Sequence, residues 1–276
     1  MAAVLLLAVA ALLPVAAGEP PKLLAPSYAA ASIVHAATSQ AGPLAPNLLV
    51  SIYGKDLSYS TRALTETEIR NGQLPDTLTG SGVRVFISTV AASIYFVSPA
   101  QVNLLVPANL AKGKHKLQLM RDGVAGPEVE VFLEDAAPGF FQADPTTVIA
   151  IHLDGALVTT DLPARPGELI TLFAGGLGQT RPNVVYGRVP NFAAQIERLA
   201  EIRLLLNGEP VEQSRIEYAG ITPGFAGLYQ INLRLPEESP LNPEIRIKIG
   251  EAVSPSELRL PCRPLLLRDG HAREIH

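Results

Sequence analysis

The chain has 276 residues, a net charge of -4, a sequence pI near 5.8 and 47% hydrophobic residues broken by 24 Pro and 22 Gly. The acidic balance leaves nothing to attract a polyanion, so nucleic acid and an anionic membrane surface are both excluded as partners. Many short apolar runs between turn formers describe a β-rich chain, long enough for two domains that each bury a core.

Ala2 to Ala17 is an apolar run, and Val15-Ala16-Ala17 ahead of Gly18-Glu19 supplies the small residues that a signal peptidase requires. Residues 1–17 are therefore expected to be a signal peptide, leaving a protein that is secreted or held in the cell envelope. The run is shorter than the roughly 20 residues that span a bilayer, so no membrane span is expected after cleavage. No Lys or Arg precedes Lys22, so the natural start is expected upstream of Met1. Cys262 is the only cysteine, which rules out an intrachain disulfide; beside Pro261 at the end of an apolar strand, it reads as a buried, inert thiol.

Taken in order, Ser32 to Ala37 reads as a short strand, Gly42-Pro43-Leu44-Ala45-Pro46 as a rigid turn, and Leu48 to Tyr53 as a second strand closed by Gly54. Ser58 to Gly82 is polar and irregular, with one helical turn at Thr65-Glu66-Thr67-Glu68, where an acid three residues after a Thr satisfies free N–H groups. Strands follow at Val83 to Ile87, Ser93 to Val97, Gln101 to Val106, Lys114 to Met120 and Glu128 to Leu133, with Asp122-Gly123 as a tight reversal. Phe140-Phe141 closes this half, and Ala143 to Thr146 reads as the linker. So short a linker implies that the halves touch. Beyond it come a hairpin about Asp154-Gly155, a strand over Leu169 to Phe173, a short helix within Phe192 to Ala200, and a strand over Ile202 to Leu206 ending in the hairpin signal Asn207-Gly208. Ile216 to Tyr218, Gln230 to Leu235, Ile245 to Ile249 and Leu258 to Leu260 complete the set.

The halves are written alike. Gln101, Asn103 and Pro107 recur as Gln230, Asn232 and Pro236 at one constant offset of 129, and Leu49 to Leu57 recurs as Leu169 to Leu177. The expected organisation is a first β-sandwich over 18–142, a second over 143–262 and a tail over 263–276. The strand order of each half, with an apolar strand ending in Tyr53-Gly54 or Phe173-Ala174 and a later strand ending in Val106-Pro107 or Leu235-Pro236, resembles the immunoglobulin-like domains called IPT or TIG. The resemblance implies an all-β fold of two tandem immunoglobulin-like sandwiches.

The whole length also resembles an uncharacterised family of secreted C-terminal domains abundant in soil acidobacteria. The matching blocks include Leu44-Ala45-Pro46, Ser51-Ile52-Tyr53-Gly54, Leu74-Pro75-Asp76-Thr77-Leu78, Val97 to Asn103, Ala137-Pro138-Gly139-Phe140-Phe141, Gly176-Leu177-Gly178 and Ala219 to Asn232. The chain departs from that pattern at His35, where Asn is expected, and at Asn47, where Gly is expected. The family carries no assigned activity, so the resemblance adds architecture and no chemistry.

Neither a catalytic nor a cofactor motif emerges. His35, His115, His152, His271 and His276 lack the spacing of metal ligands on one face, and Gly80-Ser81-Gly82 lacks the frame of a nucleophile elbow. His152 with Asp154 would orient an imidazole, but Asp154-Gly155 is first a turn. Gly175-Gly176-Leu177-Gly178 lacks the Lys-Ser/Thr of a phosphate loop, and no Asp-x-Asp calcium loop occurs. No enzyme activity, metal or cofactor is expected.

Two sets of residues stand out. Gln101 with Asn103, and Gln230 with Asn232, share one face of their strands, because side chains alternate with period two. They are expected to be structural, bonding to nearby loop backbone, so that Asn→Ala strands a buried partner. The second set is the Gly220 to Tyr229 loop, where the second half has five residues more than the first, among them Phe225, Leu228 and Tyr229. This is either a recognition loop or a plug between the halves, and both readings bury Phe225. The leading reading is a non-enzymatic, exported binding, adhesion or assembly module of the cell surface or extracellular space, with a protein or a polysaccharide as partner. The alternative is a polysaccharide-binding module, weakened by the absence of Trp and an aromatic content of 5%, since sugars stack on flat exposed rings.

Overall fold

The computed structural model describes residues 24–264. The expected signal peptide and all of the tail beyond residue 264 lie outside the described residues. The fold is all-β, with antiparallel strands and, among the described residues, four single-turn 3-10 helices.

In the first half, one sheet runs in the order Ile33–His35, Leu49–Tyr53, Gln101–Leu105, Ser93–Val97 and Arg62–Ala63. The second sheet runs Val129–Leu133, Gly113–Arg121, Val83–Ile87 and Val90–Ala91. Alternation decides which side chains are enclosed: Val50, Ile52, Ile94, Val102 and Leu104 of one sheet meet Val83, Val85, Ile87, Leu117 and Leu119 of the other in a common core.

The second half has one sheet containing, in order, Gly139–Phe140, Leu169–Gly175, Tyr229–Arg234, Ile216–Ile221, Ala194–Ile196 and Thr180–Arg181. Its other sheet runs Glu209–Pro210, Ile202–Leu206, Ile245–Ile249 and Ala252–Val253. Cys262 is buried at the edge of this core, where burial pushes its thiol up. Asp122-Gly123 and Asn207-Gly208 turn their hairpins with positive φ at both residues (48° and 80°, 51° and 86°), as their sequences require. Asn47 takes φ 58°, the left-handed geometry for which Gly is the usual choice.

One expectation is corrected. No α-helix forms within Phe192 to Ala200: Ala194–Ile196 is a strand paired to Gly220–Ile221, and only Leu199–Glu201 makes a 3-10 turn. The helical spacing of Ala193, Ile196, Leu199 and Ala200 gives way to the in-out-in alternation of a short strand, with Ala194 and Ile196 buried and Gln195 exposed. Ahead of the expected linker at Ala143 to Thr146 the two cores interleave in sequence: Leu133 lies in the first, Ala136 and Phe140 lie in the second, and Ala137 packs against the first. Gly139–Phe140 pairs with Ala174–Gly175, Phe140 is wholly buried in the second core, and Gln142–Asp144 folds back on Thr147–Val148.

A third apolar cluster joins the halves. Leu74, Leu105 and Ala226 are buried there, with Leu49, Leu64, Ile69, Tyr95, Tyr186 and Val189 around them. Backbone bonds cross the joint from Leu74 N–H to the Gly187 carbonyl (2.7 Å) and from Val189 N–H to the Gly72 carbonyl (2.8 Å). Tyr186 adds two more: its hydroxyl donates to the Ala91 carbonyl (2.7 Å) and accepts from Ser93 N–H (3.0 Å). The polar stretch Ser58 to Gly82 is thus pinned on both sides, with Leu74 in the joint and Leu78 in the first core.

Candidate functional site

The strands that carry the paired amides lie at the centre of their sheets, so the face opposite the core is where those amides emerge. In the first half the register sets Ser51 opposite Asn103, Tyr53 opposite Gln101, and Phe96 against Asn103 after a bulge at Tyr95. In the second half Thr171 is opposite Asn232, Phe173 opposite Gln230, and Tyr218 against Asn232 after a bulge at Glu217. Each outer face therefore carries a Gln and an Asn in line with an aromatic residue on either side; the hydroxyl opposite the Asn is half-buried in Thr171 and buried in Ser51.

The amides bond to each other, not to loop backbone. Gln101 Nε2 donates to Asn103 Oδ1 at 2.8 Å, and Gln230 Nε2 points to Asn232 Oδ1 at 3.4 Å, where Thr171 Oγ1 also donates (3.1 Å). All four are half-buried, so removing an Asn strands no buried partner, which corrects that expectation. With the inner contacts used in this way, Gln101 Oε1 and Asn103 Nδ2 have no protein partner among the described residues, and the same holds for Gln230 Oε1 and Asn232 Nδ2. Each ladder presents an acceptor and a donor side by side, which suits a pair of neighbouring hydroxyls.

The rings are held differently. Tyr53 is 44% exposed at the open end of the first face. In the second half Tyr218 donates its hydroxyl to the Ala194 (3.1 Å) and Ile221 (2.8 Å) carbonyls, laying the ring across Gly220, where an added Cβ would fall 2.7 Å from the ring carbon Cζ.

The five-residue insertion is fixed at both ends. Tyr229 is wholly buried, its hydroxyl donating to the Gly178 carbonyl, and burial pushes that phenol well above its usual range. Ala226 is buried in the joint, its carbonyl accepting from the Tyr95 hydroxyl (2.9 Å). Gly227 has φ 84°, and a Cβ on it would lie 2.6 Å from Leu105 Cδ1 and 2.8 Å from Leu49 Cγ. Leu228 is half-buried, while Phe225 is 59% exposed, contrary to the expectation that either role of the loop would bury it. Ala226 and Gly227 are the plug, residues whose small size gave no signal in the sequence.

Each of the three histidines among the described residues has a partner on at least one ring nitrogen. His35 is buried where the halves meet, its Nδ1 accepting from Ala37 N–H (3.0 Å) and its Nε2 facing the Ala137 and Gly175 carbonyls without reaching bonding geometry to either. Burial lowers its pKa to about 4. It borders a cleft of about 550 Å³ where Lys112 is paired with Glu134, and where Arg198 is paired with Glu201 beyond the rim. Gly175 and Gly176 are not a phosphate loop: they end a strand, and the Ala137 carbonyl packs where a Gly176 Cβ would be. His152 is paired with Glu168 (2.6 Å), not Asp154, and its other nitrogen faces the Leu162 carbonyl (3.1 Å). Burial opposes charge on that ring, but the carboxylate and the carbonyl outweigh it and raise its pKa. His115 pairs with Ser88 (2.9 Å) at a hairpin tip. Among the described residues no three His, Cys, Asp or Glu side chains gather as a metal site, and no helix is long and apolar enough to cross a membrane.

No family model matches the chain, and no curated protein matches it. Solved structures do. A surface glycan-binding protein of a mixed-linkage glucan utilisation locus from Bacteroides ovatus, in complex with a mixed-linkage heptasaccharide, aligns over 88% of this chain and 47% of its own, with 10% identity and a TM-score of 0.34. A counterpart from a xyloglucan utilisation locus of Bacteroides uniformis aligns over 86% and 50%, with 10% identity and a TM-score of 0.26. The extracellular region of plexin A4 aligns over 86% and 18%, with 12% identity and a TM-score of 0.28. The chain thus spans half or less of the length of these proteins. Likeness at this level decides neither the topology nor the ligand.

Proposed function

We propose that this protein is a non-catalytic, exported polysaccharide-binding module built from two immunoglobulin-like sandwiches. The observation that carries the reading is the matched outer face. In each half a Gln–Asn ladder stands between an aromatic residue on the neighbouring strand (Tyr53 or Phe173) and another after a bulge (Phe96 or Tyr218), with unused amide groups turned outward. Sugars need both elements, since their hydroxyls each donate and accept while their C–H faces stack on rings. Composition argued against this reading because it counts rings and is blind to where they stand. A chain with few aromatics has set four of them beside its amide ladders. The faces also explain why the amides are kept in both halves although neither pair closes a loop.

The test is affinity electrophoresis of the full chain through gels containing mixed-linkage β-glucan, xyloglucan, galactomannan, amylose or alginate. Retardation by at least one neutral polysaccharide is expected, with N103A and N232A each weakening it and the double variant abolishing it. Migration unchanged in every gel would overturn the reading.

A further inference from the structure

From the position of the inserted loop, we propose that Phe225 of the second half completes the binding face of the first half, extending it for a longer stretch of a neutral polysaccharide chain. This rests on the polysaccharide-binding reading of that face.

The outer face of the first sheet is not open along its whole length. Tyr53 and Gln101 stand at one end; about 14 Å along the same pair of strands, Leu49 and Leu105 are covered by the second half. What covers them is Ala226 and Gly227. Phe225 is joined to Ala226, so its backbone stands within about 4 Å of a residue pressed on Leu105. Asn103 lies two residues from Leu105 on the same face, roughly 7 Å away. Phe225 thus stands in the chain beside the end of the face that Tyr53 does not reach, and its ring is exposed there.

The backbone that carries the ring is also fixed. Thr222 N–H bonds to the Leu228 carbonyl (2.8 Å), Gly224 N–H to the Pro190 carbonyl (2.6 Å) and Phe225 N–H to the Thr222 carbonyl (3.2 Å), while the Tyr95 hydroxyl grips the Ala226 carbonyl from the other half. A ring 59% exposed adds little to the core, yet five inserted residues hold it there. An aromatic ring on a fixed backbone has only two side-chain torsions to lose on binding, which favours recognition. The occupant follows from charge and shape. Between Tyr53 and Leu105 the paired strands present half-buried Gln101, Asn103 and Phe96, with Ser51 buried beneath them, and among the described residues of these three strands no charged side chain stands there, which suits a neutral, hydroxyl-rich polymer and disfavours an acidic or basic one.

The experiment uses the full chain and the same polysaccharide gels, with F225A beside N103A, followed by titration with short and long oligosaccharides cut from each retarding polymer. F225A is expected to bind long oligosaccharides about fivefold more weakly and the shortest ones as wild type does, with unchanged thermal stability. N103A is expected to weaken both lengths. If N103A loses binding and F225A matches wild type at every length, the extension is wrong and the polysaccharide reading stands. If F225A weakens short and long ligands equally, or lowers stability, the ring acts through the joint and the extension is again wrong. If wild type is retarded by nothing, both fall together.

Discussion

At the scale of single residues, a few side chains carry opposite duties that substitution separates. Asn103 bonds to half-buried Gln101 on a face away from the core, so N103A is expected to cost no more than about 1 kcal/mol in chemical denaturation while polysaccharide binding falls. His35 has the reverse profile. Its folded pKa of about 4 lies below the 6.5 of an unperturbed imidazole, so the unfolded chain takes up the proton first as the pH drops. The contribution of His35 is complete above pH 6.5, declines as the pH falls from 6.5 towards 4, and amounts to about 3 kcal/mol over that span. Lys112, Glu134, Asp135, Arg198 and Glu251 line the same cleft, so the measurement is a difference between wild type and His35→Asn. The Asn oxygen can accept from Ala37 N–H as Nδ1 does. H35N is expected to match wild type near pH 7 and to lose less stability by pH 4.5; identical pH profiles would show that the imidazole does not titrate this way.

Among turns and strands, the two glycines Gly208 and Gly227 separate backbone strain from packing. Both have positive φ, 86° and 84°, but an added Cβ at Gly208 meets nothing within 4 Å, whereas at Gly227 it collides with Leu105 and Leu49. G208A is therefore expected to cost about 1 kcal/mol, the price of the left-handed backbone alone, and G227A clearly more, read as the difference between their denaturation midpoints. Equal costs would mean that the loop yields without disturbing the joint. Period two made the strands and the amide faces readable from the sequence, because alternation is local. Helical spacing misled at Ala193, Ile196, Leu199 and Ala200, where three strand residues, Ala194–Ile196, run into a single 3-10 turn, Leu199–Glu201. The joint left no such trace. Ala226 and Gly227 matter for being small, and smallness becomes informative only once the surface they must approach is known.

The molecule as a whole is governed by its joint. Tyr186 spends both sides of its hydroxyl on the first half, accepting from Ser93 and donating to Ala91, so Y186F is expected to lower stability by about 1 to 3 kcal/mol. Wild type should melt in one calorimetric transition; two well-separated transitions in wild type would show that the halves are coupled too weakly for this account. Ser58 to Gly82, polar enough in sequence to pass for a protease target, is expected to resist trypsin in the folded chain because Leu74 and Leu78 anchor it. The fixed joint has a further consequence if each half holds a sugar chain. Two faces on a stiff body meet a polymer at a set spacing and angle, so the second contact is intramolecular and its effective concentration depends on that geometry alone. A strand able to reach both faces gains avidity. One that cannot leaves the second face to capture another strand, and the protein becomes a cross-linker, visible as precipitation of soluble polysaccharide that either single-face variant, N103A or N232A, prevents.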